Sequence, residues 1–280
     1  MDRKRIESPG YFDEKYAFAK TVPKLLSSPW WIGHIPFSFS LVNALKPKVI
    51  VELGTYTGTS FFSFCQAVDT LGLSCKCYGV DMWKGDIHMG TFSQSLYEEI
   101  LAYKNEHYPD AVFLRKYFDD AANDFDTHSI DILHIDGTHT YEAVQKDFLT
   151  WQPKLSSRSV VLFHDIHVNF NNVGKAARHF GVGKFFNSIK SDYPHIEFKH
   201  CYGLGVLVVG SDMPFEIYEM VEESKQKDFI GYFANLGENL SNKFQAKSSV
   251  REIASTAKAF LKQNIMRQMN KMGIGKKHNR

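Results

Sequence analysis

The sequence predicts an α/β fold: a mostly parallel seven-stranded sheet with one antiparallel strand, an N-terminal cap and a C-terminal helical extension. Three observations predict it. Short apolar runs alternate with helical segments from residue 48 to residue 191, the order of a sheet whose strands are joined by crossover helices. Two of these runs end in an acid and a turn, Ile50-Val51-Glu52-Leu53-Gly54-Thr55-Tyr56-Thr57-Gly58-Thr59-Ser60 and His134-Ile135-Asp136-Gly137-Thr138-His139. The carboxyl ends of parallel strands are where open α/β sheets keep their ligands. The series then closes on two apolar runs across a short glycine-bearing link, which reads as an antiparallel hairpin near one edge.

Along the chain, residues 1–47 form the cap. Its apolar centre is Trp30-Trp31-Ile32-Gly33-His34-Ile35-Pro36-Phe37, and prolines at 29, 36 and 47 break it into short pieces. Lys48–Leu53 is a strand and Thr59–Leu71 its helix, with Thr59 or Ser60 near the N-cap. Lys76–Val80 is a strand ending at Asp81, and Ser93–His107 has helical spacing. Ala111–Tyr117 is the third strand, followed by a short helix, Asp119–Phe125, opened by acids. Ile130–Ile135 is a strand ending at Asp136, and Tyr141–Trp151 a helix stopped by Pro153. Ser159–Phe163 is a strand ending at His164-Asp165, and Val173–Ser191 a helix interrupted at Gly181 and Gly183. The hairpin is Ile196–His200 with Gly205–Val209. The α/β domain thus runs over 48–212, and 213–280 is an extension with helical composition at 215–230 and 247–272 and a basic tail.

Composition narrows the function classes. The 280 residues are 44% hydrophobic and 23% charged, ordinary for a globular protein, and the net charge of +2 gives no strong attraction for nucleic acid. The start of the chain carries no apolar signal region, and no apolar run approaches the roughly 18 residues of a membrane span, so a cytoplasmic protein is expected. Cys65, Cys75, Cys77 and Cys201 form no zinc-type pair and read as reduced packing residues. An aromatic content of 14% supplies core and also pocket walls for flat or glycan-like ligands.

Glu52-x-Gly54-x-x-x-Gly58 differs from the dinucleotide fingerprint, which begins on glycine so that a pyrophosphate can settle on a helix N-terminus. A carboxylate facing the crevice repels a pyrophosphate and favours an ammonium or sulfonium. Asp81, at the second strand end, is placed to accept hydrogen bonds from a ribose diol. S-adenosylmethionine, a positively charged adenosine, satisfies both acids.

The chain resembles class I S-adenosylmethionine-dependent methyltransferases with a Rossmann-like seven-stranded sheet. The likeness lies in residues 52–60, Gly79–Asp86, His134–Glu142, Asp147–Leu155 and Phe163–Asp165, in that order, and spans roughly 30–210. The nearest group by these motifs is that of macrocin O-methyltransferase and cephalosporin-hydroxylase-like proteins. The resemblance implies that the methionine part lies against Glu52, Gly54 and Tyr56, with Gly58 and Ser60 in the same turn. It implies that Asp81 holds the ribose and that Met82 and Trp83 flank the adenine. Tyr117 and Phe118 would close that pocket, or serve as core.

Asp136, His139, His164, Asp165 and His167 follow two strand ends expected to be neighbours, and carboxylates with imidazoles suit a divalent metal. The resemblance implies Asp136 and Asp165 as ligands and His139 as general base. Position 164 holds His where the family has an acid; with His164 as a ligand, Mg²⁺ fits less well than Mn²⁺, Fe²⁺ or Zn²⁺. Asp86 and His88 could contact substrate, and Trp30, Trp31, His34 and Phe37 form either an acceptor wall or core. The expected reaction is O-methylation of a small-molecule or glycan acceptor, with homo-oligomerisation left open. Two alternatives remain: a metal-dependent hydrolase using Asp136, His139, His164 and Asp165, and a non-catalytic adenosyl-binding module of a glycan-assembly system.

Overall fold

Alternating apolar runs become a seven-stranded sheet in the computed structural model, which describes residues 10–86, 90–226 and 228–246. The strands are β1 (Val49–Leu53), β2 (Lys76–Val80), β3 (Val112–Leu114), β4 (Ile130–Ile135), β5 (Leu155–His164), β6 (His195–Phe198) and β7 (Leu204–Val208). Their spatial order is β3-β2-β1-β4-β5-β7-β6, and only β7 runs against its neighbours. The order reverses between β1 and β4, which opens a crevice above their carboxyl ends. Both central strands are buried on both faces, so Val51, Leu53, Leu133 and Ile135 join Val161, Phe163 and Leu207 in one core.

The helices in chain order are α1 (Tyr11–Lys15), α2 (Pro29–Ile32), α3 (Ile35–Leu45), α4 (Thr59–Thr70), α5 (Gln94–His107), α6 (Phe118–Ala121), α7 (Tyr141–Trp151), α8 (Phe170–Val173), α9 (Val182–Ile189) and α10 (Phe215–Ser224). Pro29 and Pro36 sit in the first turns of α2 and α3, where a missing N–H costs nothing. α3 is apolar nearly all round and accordingly buried from Ile35 through Val42. Residues 228–246 are helical, and no helix among the described residues is long and apolar enough to cross a membrane.

Several expected boundaries move. α4 is capped by Gly58 at φ 78°, not by Thr59 or Ser60. The Thr59 hydroxyl is used elsewhere: it accepts the Ser28 N–H at 2.9 Å and so ties the cap to the first crossover. The third strand shortens to three residues because it is an edge strand paired with β2 alone, and the chain turns outward at the exposed Arg115-Lys116. β5 begins at Leu155, four residues early. The helix expected over 173–191 is broken as predicted, into a 3-10 turn Gly174–His179 and α9. A Cβ at Gly181 would strike the Tyr141 backbone and one at Gly183 the Ile166 carbonyl, so both glycines mark close approaches. All four cysteines are unbridged, Cys65 and Cys77 buried.

By compactness the chain divides into residues 1–238 and 239–280. The boundaries expected at 47 and 212 both fall inside the first unit. Of the second, residues 239–246 are helical, and the helix expected over 247–272 and the basic tail lie outside the described residues.

Candidate active site

A cavity of about 650 Å³ lies above the carboxyl ends of the strands. It is bounded by the loops after β1, β2, β4 and β5, and it reaches Tyr117 and Phe118 after β3 and Tyr202 between β6 and β7.

On the β1–β2 side, Gly54 stands at φ 92°, and a Cβ there would collide with the Asp136 carbonyl. Only glycine lets the β1 loop pass so close to the end of β4. The Asp81 carboxylate organises the next layer: it accepts the Tyr56 N–H at 3.0 Å on Oδ2 and the Trp83 N–H at 2.6 Å on Oδ1. Tyr56 and Trp83 both adopt left-handed backbone, at φ 44° and 49°, a strained state that these bonds hold in place. Trp83 Nε1–H donates to the Tyr56 carbonyl at 3.0 Å, and the Tyr56 ring packs on Phe92 at 4.8 Å.

On the β4–β5 side, Asp136, His139, His164 and Asp165 converge. His139 Nε2 lies 3.2 Å from Asp136 Oδ1 and 3.2 Å from Asp165 Oδ2. His164 Nδ1 lies 3.2 Å from Asp136 Oδ1 and 3.4 Å from Asp165 Oδ1. His164 Nε2–H donates to the Cys201 carbonyl at 3.2 Å, which leaves Nδ1 to face the acids. Burial alone would raise the Asp136 carboxyl, but the His164 charge and the hydrogen bonds from His139 and His164 hold it well below the usual carboxylate range. Burial works against protonated His164 and His139 too, and the two carboxylates outweigh it, raising both imidazoles. Behind them His34 and His200 are depressed, chiefly by burial, and neutral; His34 Nε2–H donates to the same Cys201 carbonyl at 3.1 Å. Among the described residues, Asp136, His139 and Asp165 form a group able to hold a metal ion, with one ligand atom from each within 4.8 Å of the others.

Residues 51–166 match the family described as "Methyltransferase domain". That middle segment of the chain is similar to methyltransferase domains. It is 38% identical over 213 residues to an uncharacterized protein, y4gI, of Sinorhizobium fredii (strain NBRC 101917 / NGR234), a match covering 75% of this chain and 23% of that protein. The chain therefore spans under a quarter of the length of that relative. A Staphylococcus aureus crystal structure, provisionally assigned as a caffeoyl-CoA O-methyltransferase, superposes with a TM-score of 0.50 at 14% identity, covering 74% of this chain and 95% of that one. The SAH-bound methyltransferase PaMTH1 of Podospora anserina gives 0.48 at 13% identity over 71% and 88%. Likeness at such identity shows the fold alone, and the fold is the Rossmann-like class I methyltransferase sheet.

The cavity collects most of the residues singled out in the sequence: Gly54, Tyr56, Ser60, Asp81, Met82, Tyr117, Phe118, Asp136, His139, His164 and Asp165 all line it. Three do not. Gly58 caps α4, and Trp83 is buried beneath the lining. Glu52 is fully buried one layer back, its Oε2 2.8 Å from His134 Nδ1. His164, expected as a ligand with Asp136 and Asp165, faces the same two carboxylates through Nδ1 at 3.2 and 3.4 Å, beside the Asp136–His139–Asp165 group. His167 leaves the cluster for Glu197 at 2.8 Å. His88 lies outside the described residues.

Sequence reasoning missed His134, Phe180 and Tyr202. Phe180 stacks on His139 with ring centroids 5.0 Å apart and 20° between planes. His134 was in the quoted motif, and its position directly opposite Glu52 on the neighbouring strand is the signal that only strand register reveals.

Proposed function

We propose that this domain transfers the methyl group of S-adenosylmethionine to an oxygen of a small-molecule or sugar acceptor, within the group resembling macrocin O-methyltransferase. The observation that carries the reading is one cavity lined by Asp81 and Gly54 from the β1–β2 side and by the Asp136–His139–Asp165 cluster from the β4–β5 side. Asp81 takes the ribose diol, and Met82, Tyr117 and Phe118 take the adenine. Gly54, Tyr56 and Ser60 admit the methionine part.

The acceptor oxygen attacks the methyl carbon, the carbon–sulfur bond breaks, and its electron pair stays on sulfur, leaving neutral S-adenosylhomocysteine. The hydroxyl proton passes to His139. Its carboxylate partners make this imidazole a stronger base than a free one, and they also keep it protonated to higher pH. Holding oxygen, carbon and sulfur in line is the second contribution.

The donor set fits a divalent cation: two carboxylates for hard oxygen ligation and an imidazole that admits Mn²⁺ beside Mg²⁺. A bound ion would lower the pKa of an acceptor hydroxyl. A nitrogen that ligates an ion cannot take a proton at the same time. His139 therefore serves either as ligand or as base, and His164 is the ligand when His139 is the base.

The test is transfer of labelled methyl from S-adenosylmethionine to glycoside and catechol panels, with and without chelator. Transfer abolished by chelator assigns the cluster to a metal, and transfer unchanged assigns His139 as a metal-free base. Phosphoester hydrolysis with metal alone and no binding of S-adenosylhomocysteine would favour the hydrolase. If His139→Ala and Asp136→Ala leave the biological effect intact, the chain is an adenosyl-binding module.

A further inference from the structure

The turn between β6 and β7 is strained in a way that the methyl-donor site does not explain. Cys201, Tyr202 and Gly203 stand in succession at φ 49°, 66° and 93°. Two consecutive non-glycine residues in left-handed backbone persist only where surroundings over-determine them, and such strain collects at ligand sites. Here the surroundings are specific. Asp165 N–H donates to the Gly203 carbonyl at 2.9 Å and His167 N–H to the Tyr202 carbonyl at 2.8 Å, so the turn is fastened to the segment bearing Asp165. The Cys201 thiol donates to the Trp30 carbonyl at 2.9 Å, and His200 Nε2–H to the Gly33 carbonyl at 3.0 Å. A Cβ at Gly33 would strike Cys201. Cap and turn are thus clamped as one piece, and Trp30 and Tyr202 emerge from it into the cavity, their centroids 5.3 Å apart and their planes at 54°.

Sheet order says which ligand meets these rings. Adenosine residues lie over β3 and β2, the reacting groups over β1, β4 and β5, and the β6–β7 turn comes last in the row. An acceptor approaching the sulfonium from the side opposite adenosine therefore passes Trp30 and Tyr202.

We propose that Trp30 and Tyr202 form the acceptor platform and that it takes a pyranose ring; this rests on the methyl-transfer reading above. Two rings inclined at 54° cannot both stack on one flat acceptor, whereas a chair presents C–H faces in more than one direction and a rim of hydroxyls. Its hydroxyls meet Asp165, Ser28 and His179, which border the same space. Trp30 is 42% exposed, so its replacement leaves the core untouched.

The experiment is saturation-transfer NMR on the S-adenosylhomocysteine-loaded protein with methyl rhamnopyranoside, methyl glucopyranoside and catechol as probes. We expect transfer to the ring protons of at least one glycoside. Trp30→Ala and Tyr202→Ala lose it and Trp30→Phe and Tyr202→Phe keep it, while S-adenosylhomocysteine affinity stays within about threefold, under 1 kcal/mol. Signal from catechol alone, or glycoside signal unchanged in both alanine variants, overturns the platform while leaving methyl transfer standing. Failure of the wild type to bind S-adenosylhomocysteine is a different result, which sinks the cofactor reading and this proposal together.

Discussion

Asp165 stands at φ 65°, a conformation that an aspartate adopts at a cost of roughly 1–3 kcal/mol. It shares this with Tyr56, Trp83 and Tyr202; Asp165, Tyr56 and Tyr202 line one cavity and Trp83 is buried, so local strain there serves to aim side chains. Removing the carboxylate that holds two of them should show it. Asp81→Ala frees the Tyr56 and Trp83 N–H groups and is expected to abolish detectable S-adenosylhomocysteine binding, read by calorimetry. His139→Ala is expected to lower methyl transfer by about 10²–10⁴ while leaving cofactor affinity unchanged. In metal-free enzyme the rate should rise with pH through an apparent pKa above the usual 6.5 of histidine, because the base must be unprotonated and its carboxylate neighbours raise it. A profile that falls across that range contradicts the base assignment. At this scale Asp81, Asp136, His139 and Asp165 were legible because each follows an apolar strand. The place of Glu52 was not, since its His134 partner is fixed by strand register and not by any local pattern.

Helix α7 carries a second consequence of burial. Asp147 is buried on it, and burial first, then the neighbouring Asp119, pushes its carboxyl up to about 7. A raised carboxyl destabilises the fold in its ionised form. The cost is nil below the unfolded pKa of 3.8, grows as pH rises from there, and is complete above about 7. Asp147→Asn should therefore leave stability unchanged near pH 3.5 and raise it at pH 8 by up to about 4 kcal/mol, measured by urea unfolding. Loss of stability at pH 8 would show that the ionised carboxylate is needed. The elements themselves were largely readable: β1, β2 and β4 match their apolar runs, and the helix breaks at Gly181 as expected, although Gly183 lies inside α9. The third strand was overestimated because an apolar run does not tell an edge from a centre, and Thr59 was misread as a cap because its hydroxyl is engaged by Ser28, thirty-one residues away.

The two flanks of the sheet meet on one buried carboxylate. Glu223 of α10 is fully buried and accepts from Tyr11 at 2.7 Å, Tyr16 at 2.5 Å and Lys15 at 2.6 Å, more than 200 residues distant in sequence. Contacts over such separations leave no periodic trace, which is why the contact of α1 and its following turn with α10 was not legible in the sequence. Glu223→Ala leaves the buried Tyr16 hydroxyl without its acceptor and Lys15 with Glu219 alone, and should cost about 1–3 kcal/mol, seen as a lower thermal midpoint. The central claim is that the carboxyl ends of β1 and β2 hold an adenosyl sulfonium cofactor. Isothermal titration of S-adenosylhomocysteine into metal-free protein tests it directly. The account predicts single-site binding that Asp81→Ala removes; no heat of binding, or binding indifferent to Asp81, would contradict it.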